Sequence, residues 1–375
     1  MRTNPFPRTA ARPAQYLFGR RSVLKHLERA AHEVQTRQCS NLITILAPAG
    51  LGKTCILKHM RSQLQQQGWL CGYSEASPDA STAIADFLTD ARQALPSGGA
   101  GAKLLARLQE FNVSAGPIGL GFKLGDSDNG TPYSRVLQCL TSLGDLAKRA
   151  NVGVALLIDE AQALPTAELA LLYRVINGLD LPVMKISAGL PGIPDQLYVQ
   201  PTTVTPSFYL QLDSLKPEDT FSAITTPLID NGEGIEKKAV NFLVDFAAGH
   251  PQTIQMVASA AWIEADERTG DDDTLIISAS DARAAIDTTL RQLSISAFNP
   301  IWNNCTEPEK LALRYTIDVA TYPHHIPYKP RPVLSGLVAK GIIYNNPIEF
   351  VYPGFRDFVS ERMPQPIDPL LPEPF

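Results

Sequence analysis

The stretch LITILAPAGLGKTCILKHM, residues 42–60, decides the fold of the surrounding chain. It begins with an apolar run at residues 42–46 that has the length and composition of a buried strand. A loop with two glycines follows, and a helical pattern begins directly after it. A strand, a glycine-containing loop and a helix in this order are typical of a phosphate-binding site.

The loop APAGLGKT, residues 47–54, supplies the donors that a triphosphate needs. Glycines permit the backbone to turn its N–H groups inward, and the following helix directs the positive end of its dipole at the same point. Lys53 suits the β and γ phosphate oxygens, and Thr54 suits Mg²⁺. The motif departs from G-x-x-x-x-G-K-[ST] only at Ala47, where a small residue suffices; the alternative is a chance match at a strand–helix junction. The predicted ATP-binding residues here are Pro48, Ala49, Gly50, Leu51, Gly52, Lys53, Thr54 and Cys55.

Two acidic residues follow a second buried strand in VALLIDEAQ, residues 154–162. Asp159 is predicted to hold Mg²⁺, directly or through water, and Glu160 to act as the base that orients water on the γ-phosphate. The alternative is that both acids merely begin a helix, where acidic residues are favoured. In a third strand, PVMKISAGL, Ser187 either touches the attacking water or γ-phosphate, or is satisfied by backbone; both interpretations stay open.

Length and composition set the outer limits of the prediction. A chain of 375 residues with 44% hydrophobic content is long enough for two or three domains, and a net charge of −5 argues against general coating of nucleic acid. Five cysteines without paired spacing are typical of reduced thiols in a cytosol. No apolar run reaches the ~18 residues of a membrane span, and the N-terminus has no signal-like core, so we expect a cytoplasmic protein with no membrane contact.

Patterning along the chain predicts an α/β protein. Apolar strands alternating with helices from about residue 41 predict a parallel sheet covered on both faces, with further helices at 81–95 and 101–111 and a hairpin at 112–125. After residue 213 four helices follow, and then two helices and two short strands around Asn345 and Asn346, which is a winged-helix pattern. The predicted domains are a basic arm at 1–15, an ATPase core at 16–212, a helical lid at 213–299, a winged helix at 300–362 and a proline-rich tail at 363–375. For the arm, a solvated tail is favoured over a phosphate-touching segment.

Six segments occur in the order found in AAA+ ATPases. They are YLFGRRSVLKHL, APAGLGKT, LLIDEAQAL, ISAGLPG, AAGHPQTIQMVASAAW and LVAKGIIYNNPIEFVYPGFRDFV. They resemble specifically the bacterial ATPases related to the origin-recognition-complex (ORC/Cdc6-related) initiators, near the STAND signalling NTPases. The resemblance covers about residues 15–362 and implies an αβα P-loop core, a helical lid and a C-terminal winged helix.

The resemblance also implies roles for individual residues. Phe18, Gly19 and Arg20 match the N-terminal box that lies against the adenine. Gly249-His250-Pro251 match the lid motif that closes over the nucleotide, which makes Pro251 a predicted nucleotide contact. Here the sequence departs from many AAA+ proteins, because the lid arginine expected after this motif is Gln252.

Three functions fit these observations. The first is a Mg²⁺-dependent ATPase switch that forms a homo-oligomer on double-stranded DNA. In such an oligomer Arg174 could be an intersubunit arginine finger; the alternative is that it is a surface residue of its helix. The second is a STAND-like regulatory NTPase with a protein partner and a winged helix that does not bind DNA. The third is a nucleotide-binding scaffold with negligible turnover. Glu160 argues against it, because a protein that only binds nucleotide needs no catalytic base. The candidate recognition helix at 331–341 offers only Arg331 and Lys340 as cationic donors, so the choice between DNA and protein stays open.

Overall fold

The structure is a computed structural model that describes residues 2–6, 16–76, 132–198, 208–270, 274–321, 331–345 and 347–363. The predicted helices at 81–95 and 101–111, the hairpin at 112–125 and the tail from residue 364 lie outside these residues. The chain divides into a core unit, residues 11–47 and 53–212, and a helical unit, residues 1–10, 48–52 and 213–375.

A parallel sheet forms the centre of the core unit. Its strands are β1 Asn41–Leu46, β2 Leu70–Glu75, β3 Val154–Asp159, β4 Val183–Gly189 and β5 Phe208–Gln211. They pair in the order β2-β3-β4-β1-β5, and every pair is parallel. β3 and β4 are buried along their whole length, as expected of apolar runs inside a sheet that is covered on both faces. The predicted α/β fold with a parallel sheet is confirmed.

Five helices belong to the core unit in the part of the chain that the structure describes. They are α1 Arg21–Arg37, α2 Lys53–Gln66, α3 Pro132–Ala150, α4 Thr166–Asn177 and α5 Ile193–Tyr198. Side chains of α3 and α4 share one hydrophobic cluster with β3, including Leu140, Leu172 and Ile158. Because the strands are parallel, the carboxyl ends of β1, β3 and β4 lie at one edge of the sheet.

The helical unit contains the four helices predicted between residues 216 and 294. Its helices are α6 Pro217–Asp230, α7 Lys237–Ala247, α8 Pro251–Arg268, α9 Ala279–Leu293, α10 Asn299–Asn303, α11 Glu307–Thr321, α12 Arg331–Ala339 and α13 Phe355–Arg362. Two two-residue parallel strands, β6 Gly234–Ile235 and β7 Ile276–Ile277, were not predicted, since such short segments have no periodicity. Nowhere in the described residues is there a helix both long and apolar enough to cross a bilayer.

The helix α9 continues without a loop toward the C-terminal segment. A π-helical turn, Ser294–Phe298, joins it directly to α10, and the residues at both junctions keep right-handed helical backbone angles. A hydrophobic cluster that includes Leu293 and Phe298 extends through α11, α12 and α13. The segment from α10 to α13, residues 299–363, is called the C-terminal segment below. It is therefore packed against the end of α9 as well as covalently linked to it.

The predicted two-stranded wing is present only in reduced form. A single antiparallel bridge joins Ile343 to Phe350, and the Tyr344 N–H donates to the Glu349 carbonyl at 2.7 Å. On the other side of the bridge the Val351 N–H donates to the Ile342 carbonyl at 3.1 Å. Residues 213–375 fall in one unit, so the division into a lid and a winged helix stays a prediction.

The start of the chain is held against α8. Phe6 is 2% exposed, the Arg2 guanidinium lies 3.1 Å from the Asp266 carboxylate, and the Asn4 amide donates to the Ser259 hydroxyl at 3.0 Å. The interpretation of the arm as a solvated tail is thus wrong for residues 2–6, and residues 7–15 lie outside the described part. Proline and arginine without periodicity gave no sign of this packing.

Candidate functional site

A hydroxyl and a carboxylate meet where β3 ends and α2 begins. The Thr54 hydroxyl donates to Asp159 Oδ2 at 2.5 Å, and the Tyr73 hydroxyl donates to the same oxygen at 2.9 Å. The other carboxylate oxygen accepts from the Glu160 N–H at 3.0 Å. Asp159 is 2% exposed, so three donors hold an almost fully buried carboxylate in one orientation.

Tyr73 is a site residue that the sequence analysis did not identify. It lies on β2, which pairs with β3 so that Tyr73 is opposite Leu157, two residues before Asp159. Burial, reinforced by the nearby Asp159 carboxylate, raises the pKa of the Tyr73 hydroxyl and keeps it a donor. A tyrosine on a strand is usually a packing residue, and the order of strands in the sheet could not be deduced from the sequence.

Lys53 is buried at the first position of α2. Its ammonium donates to the Ala47 carbonyl at 2.9 Å. Burial lowers the pKa of Lys53, and the carboxylates of Glu160 and Asp159 act in the opposite direction. The two carboxylates thus keep the buried ammonium charged next to the loop.

Glu160 is exposed and has a left-handed backbone, with φ of 50°. The Gln162 amide donates to its carboxylate, and the Gln162 side-chain oxygen accepts from the Leu190 N–H at 3.1 Å. A Cβ added at Gly189 would lie 2.5 Å from that same oxygen, so a larger residue there would have to displace the Gln162 side chain. Gln162, which the sequence analysis did not identify, therefore connects Glu160 to the chain that follows β4.

Ser187 and Arg174 lie in different environments. Ser187 is fully buried, with its hydroxyl 3.0 Å from the Thr44 hydroxyl and 3.5 Å from the Ile43 carbonyl. These contacts lie between neighbouring strands. They agree with the alternative interpretation, in which the Ser187 hydroxyl makes its hydrogen bonds inside the sheet. Arg174 is exposed on α4. A catalytic role for either residue stays a prediction.

The glycines of the phosphate-binding loop have the backbone angles that the motif demands. Gly50 has φ of +78° and Gly52 has φ of +90°, a region that side chains with a Cβ rarely adopt. Gly50 is also restricted by space, since a Cβ there would lie 2.5 Å from a ring carbon of His250. At Gly52 the surroundings are open, and only the backbone angle requires glycine.

The remaining predicted nucleotide contacts occupy helix starts. Phe18 and Gly19 precede α1, Gly19 has φ of 67°, and Arg20 is 7% exposed at the N-cap position. Pro251 is the first residue of α8, the position where a missing N–H costs nothing. Cys55 is partly buried one residue after Thr54, and burial raises the pKa of its thiol. Their contact with a nucleotide stays a prediction.

The oxygen donors at the site fit Mg²⁺. Among the described residues, no group of three or more histidine, cysteine or acidic side chains could hold a metal ion unaided. Thr54 and Asp159 place two oxygens together. Mg²⁺ is usually held by one or two protein oxygens together with substrate phosphates and water, so this pair matches the ion's preference.

Comparison with known proteins gives a domain match and similar folds. The sequence model of the AAA ATPase domain family matches residues 16–186. A Walker-type ATPase of Pyrococcus abyssi has a similar fold, with a TM-score of 0.62 at 13% identity, covering 95% of this chain and 99% of that chain. The ORC2 protein of Aeropyrum pernix, solved as ADPNP–ADP complexes, gives a TM-score of 0.56 at 14% identity over 97% of this chain and 99% of that chain. A search of curated proteins found no match. The predicted resemblance to ORC/Cdc6-related AAA+ ATPases is confirmed in the fold, and the AAA ATPase domain match agrees with it.

Tyr73→Phe removes one donor to Asp159 and leaves the ring in place. We expect the Mg²⁺ concentration that gives half-maximal nucleotide hydrolysis to rise by about 10-fold, the scale found when a partner of a metal ligand is lost. Tyr198→Phe is the matched control, because Tyr198 is 91% exposed. A Mg²⁺ dependence that is the same in both variants and the wild type would show that Tyr73 does not position Asp159.

Proposed function

We propose that this chain, which contains an AAA ATPase domain at residues 16–186, is a Mg²⁺-dependent ATPase that acts as a molecular switch. The observation that supports this most directly is the contact of the Thr54 hydroxyl with the Asp159 carboxylate, with Lys53 at the start of the same helix. A nucleotide-binding chain of similar fold, ORC2 of Aeropyrum pernix, was solved with ADPNP and ADP.

In this proposal the loop 47–54 binds the phosphates. Lys53, which donates to the Ala47 carbonyl, would donate instead to the β and γ phosphate oxygens. The N–H groups of the loop and the N-terminus of α2 add further positive potential. Thr54 and Asp159 would hold Mg²⁺, which neutralises the charge that develops on the phosphate oxygens.

Glu160 is the proposed base. Its carboxylate would accept a proton from water as the water oxygen bonds to the γ-phosphorus, and the bond from that phosphorus to the bridging oxygen would break to release ADP and phosphate. The Gln162 amide that holds the carboxylate fixes its orientation. Exposure of Glu160 leaves room for the attacking water.

Double-stranded DNA, contacted through its backbone by a homo-oligomer, is the proposed partner of the switch. The exposed position of Arg174 on α4 is compatible with an arginine finger that acts on a neighbouring subunit. A protein partner is the second candidate, and one observation favours it. The Lys340 ammonium is bonded to the Glu309 carboxylate at 2.5 Å, so a phosphate would have to compete with an existing ion pair.

Lys53→Ala should weaken ATP binding by roughly 10- to 100-fold, the scale of a lost hydrogen bond to a charged group. The fold should persist, because the substitution leaves the apolar face of α2 unchanged. Isothermal titration with ATP measures the effect, and Lys148→Ala at an exposed position of α3 is the control. Equal affinity in both variants would show that the loop is not the nucleotide site.

Glu160→Gln should slow hydrolysis by ~10²-fold or more while ATP remains bound, because the amide cannot accept the proton from water. Release of phosphate under single-turnover conditions measures the step, and Glu28→Gln, exposed on α1, is the matched control. Wild-type turnover in Glu160→Gln would remove this residue from the mechanism.

Assembly on DNA is tested with a non-hydrolysed ATP analogue. We expect a rise in native mass and DNA binding at ~50 mM salt that weakens by at least ~10-fold at ~200 mM, because phosphate contacts release counterions. Arg174→Ala should lower the mass that the analogue induces. Absence of DNA binding at both salt concentrations would exclude the DNA proposal and leave the protein partner.

A further inference from the structure

Two carbonyl groups of the phosphate-binding loop are bonded to the start of α8 within the helical unit. The His250 ring nitrogen Nε2 lies 3.2 Å from the Ala49 carbonyl oxygen. The Gln252 N–H donates to the Gly50 carbonyl at 3.1 Å. Residues 250 and 252 thus hold the loop through its main chain, independently of loop side chains.

These two bonds orient the N–H groups of the loop. In a trans peptide the carbonyl and the following N–H point in opposite directions. With the carbonyls of Ala49 and Gly50 directed at α8, the N–H groups of Gly50 and Leu51 are directed away from it. Holding the carbonyls therefore presets the donors that a phosphate would use.

The surroundings of His250 select one neutral tautomer. Nδ1 accepts from the Thr253 N–H at 3.3 Å and lies 2.9 Å from the Thr253 hydroxyl, so it carries no proton. Nε2 must then carry the proton that it donates to Ala49. His250 is fully buried, and burial lowers its pKa to about 4, so the ring stays neutral at physiological pH.

The His250 ring also contacts Tyr352, an aromatic residue of the C-terminal segment. The ring centroids of His250 and Tyr352 are 4.8 Å apart with an interplanar angle of 49°. Tyr352 is 8% exposed and also lies edge-on to Phe298, in the π-helical turn, with 6.5 Å between centroids. One imidazole thus touches both the phosphate-binding loop and the C-terminal hydrophobic cluster.

We propose that His250 is a positioning residue that couples nucleotide binding at the loop to the C-terminal segment through Tyr352. Nucleotide that fixes the loop would fix the imidazole through the Ala49 carbonyl, and the imidazole would in turn restrict Tyr352. The proposal rests on ATP binding at the loop. It gives His250 a role in coupling the loop to the C-terminal segment that does not need the lid arginine, which Gln252 replaces.

The first test is Tyr352→Leu in the full-length protein, with affinity measured for a fluorescent ATP analogue. Loss of the ring contact should weaken binding by about 5-fold, the lower range of coupling between sites. Tyr352→Phe, which keeps the ring, should bind like the wild type. Phe358→Leu is the matched control: it disrupts the same cluster through contacts with Phe298 and Trp302, and should leave affinity unchanged.

The second test is a double-mutant cycle with His250→Leu. If His250 transmits the effect, Tyr352→Leu should change affinity by less than about twofold in the His250→Leu background, within the error of independent sites. The proposal would be overturned if Tyr352→Leu weakened binding of the analogue equally in the wild-type and His250→Leu backgrounds. It would also be overturned if Phe358→Leu weakened binding as much as Tyr352→Leu does. Should His250→Leu fail to fold by circular dichroism, the contrast between Tyr352→Leu and Phe358→Leu still decides.

The controls separate this proposal from the proposed function. Wild-type protein that does not bind the analogue, or binds it equally well with Lys53→Ala, would overturn ATP binding at the loop and this inference with it. If Lys53→Ala weakens binding of the analogue but Tyr352→Leu does not, only the proposed coupling is overturned. Each variant is compared at matched nucleotide and Mg²⁺ concentrations.

Discussion

The parallel pairing of β4 with β1 on one side and with β3 on the other is the constraint on which the core site depends. The register sets Leu46 opposite Gly189 and Ser187 opposite Ile158, so all three strands end at the same level. Only then can Thr54, just after the loop, reach the carboxylate of Asp159 at the end of β3. A slip of one residue in either pairing would turn the carboxylate to the other face of the sheet.

Buried polar groups at this edge are satisfied by one another, which makes the arrangement specific as well as stable. Each of the two Asp159 oxygens accepts a hydrogen bond, and Lys53 donates to a backbone carbonyl. Leaving such groups without partners would cost about 1–3 kcal/mol each. The carboxylate and the ammonium are thereby oriented before any ligand arrives, and a site that is already ordered loses less entropy when it binds.

Patterns of local sequence predicted much of this molecule, and contacts between distant segments account for what was missed. Apolar runs located β1, β3 and β4, and helical periodicity located the four helices after residue 216. The loop motif identified Lys53 and Thr54 because its chemistry is contiguous in the chain. The role of Tyr73 depends on strand order, and the docking of Asn4 depends on Ser259 of α8, 255 residues away. Neither dependence leaves a periodic signal.

Replacement of the expected lid arginine by Gln252 changes the physical basis of a nucleotide-driven switch. A ligand shifts a conformational equilibrium only by the difference in its affinity for the two forms. A cation that contacts phosphate would supply a large difference, whereas main-chain hydrogen bonds such as that from Gln252 to Gly50 contribute about 1 kcal/mol each. Coupling built on the loop carbonyls and the His250 ring is therefore modest in a single chain. If the proposed switch operates, contacts between subunits would have to amplify this coupling.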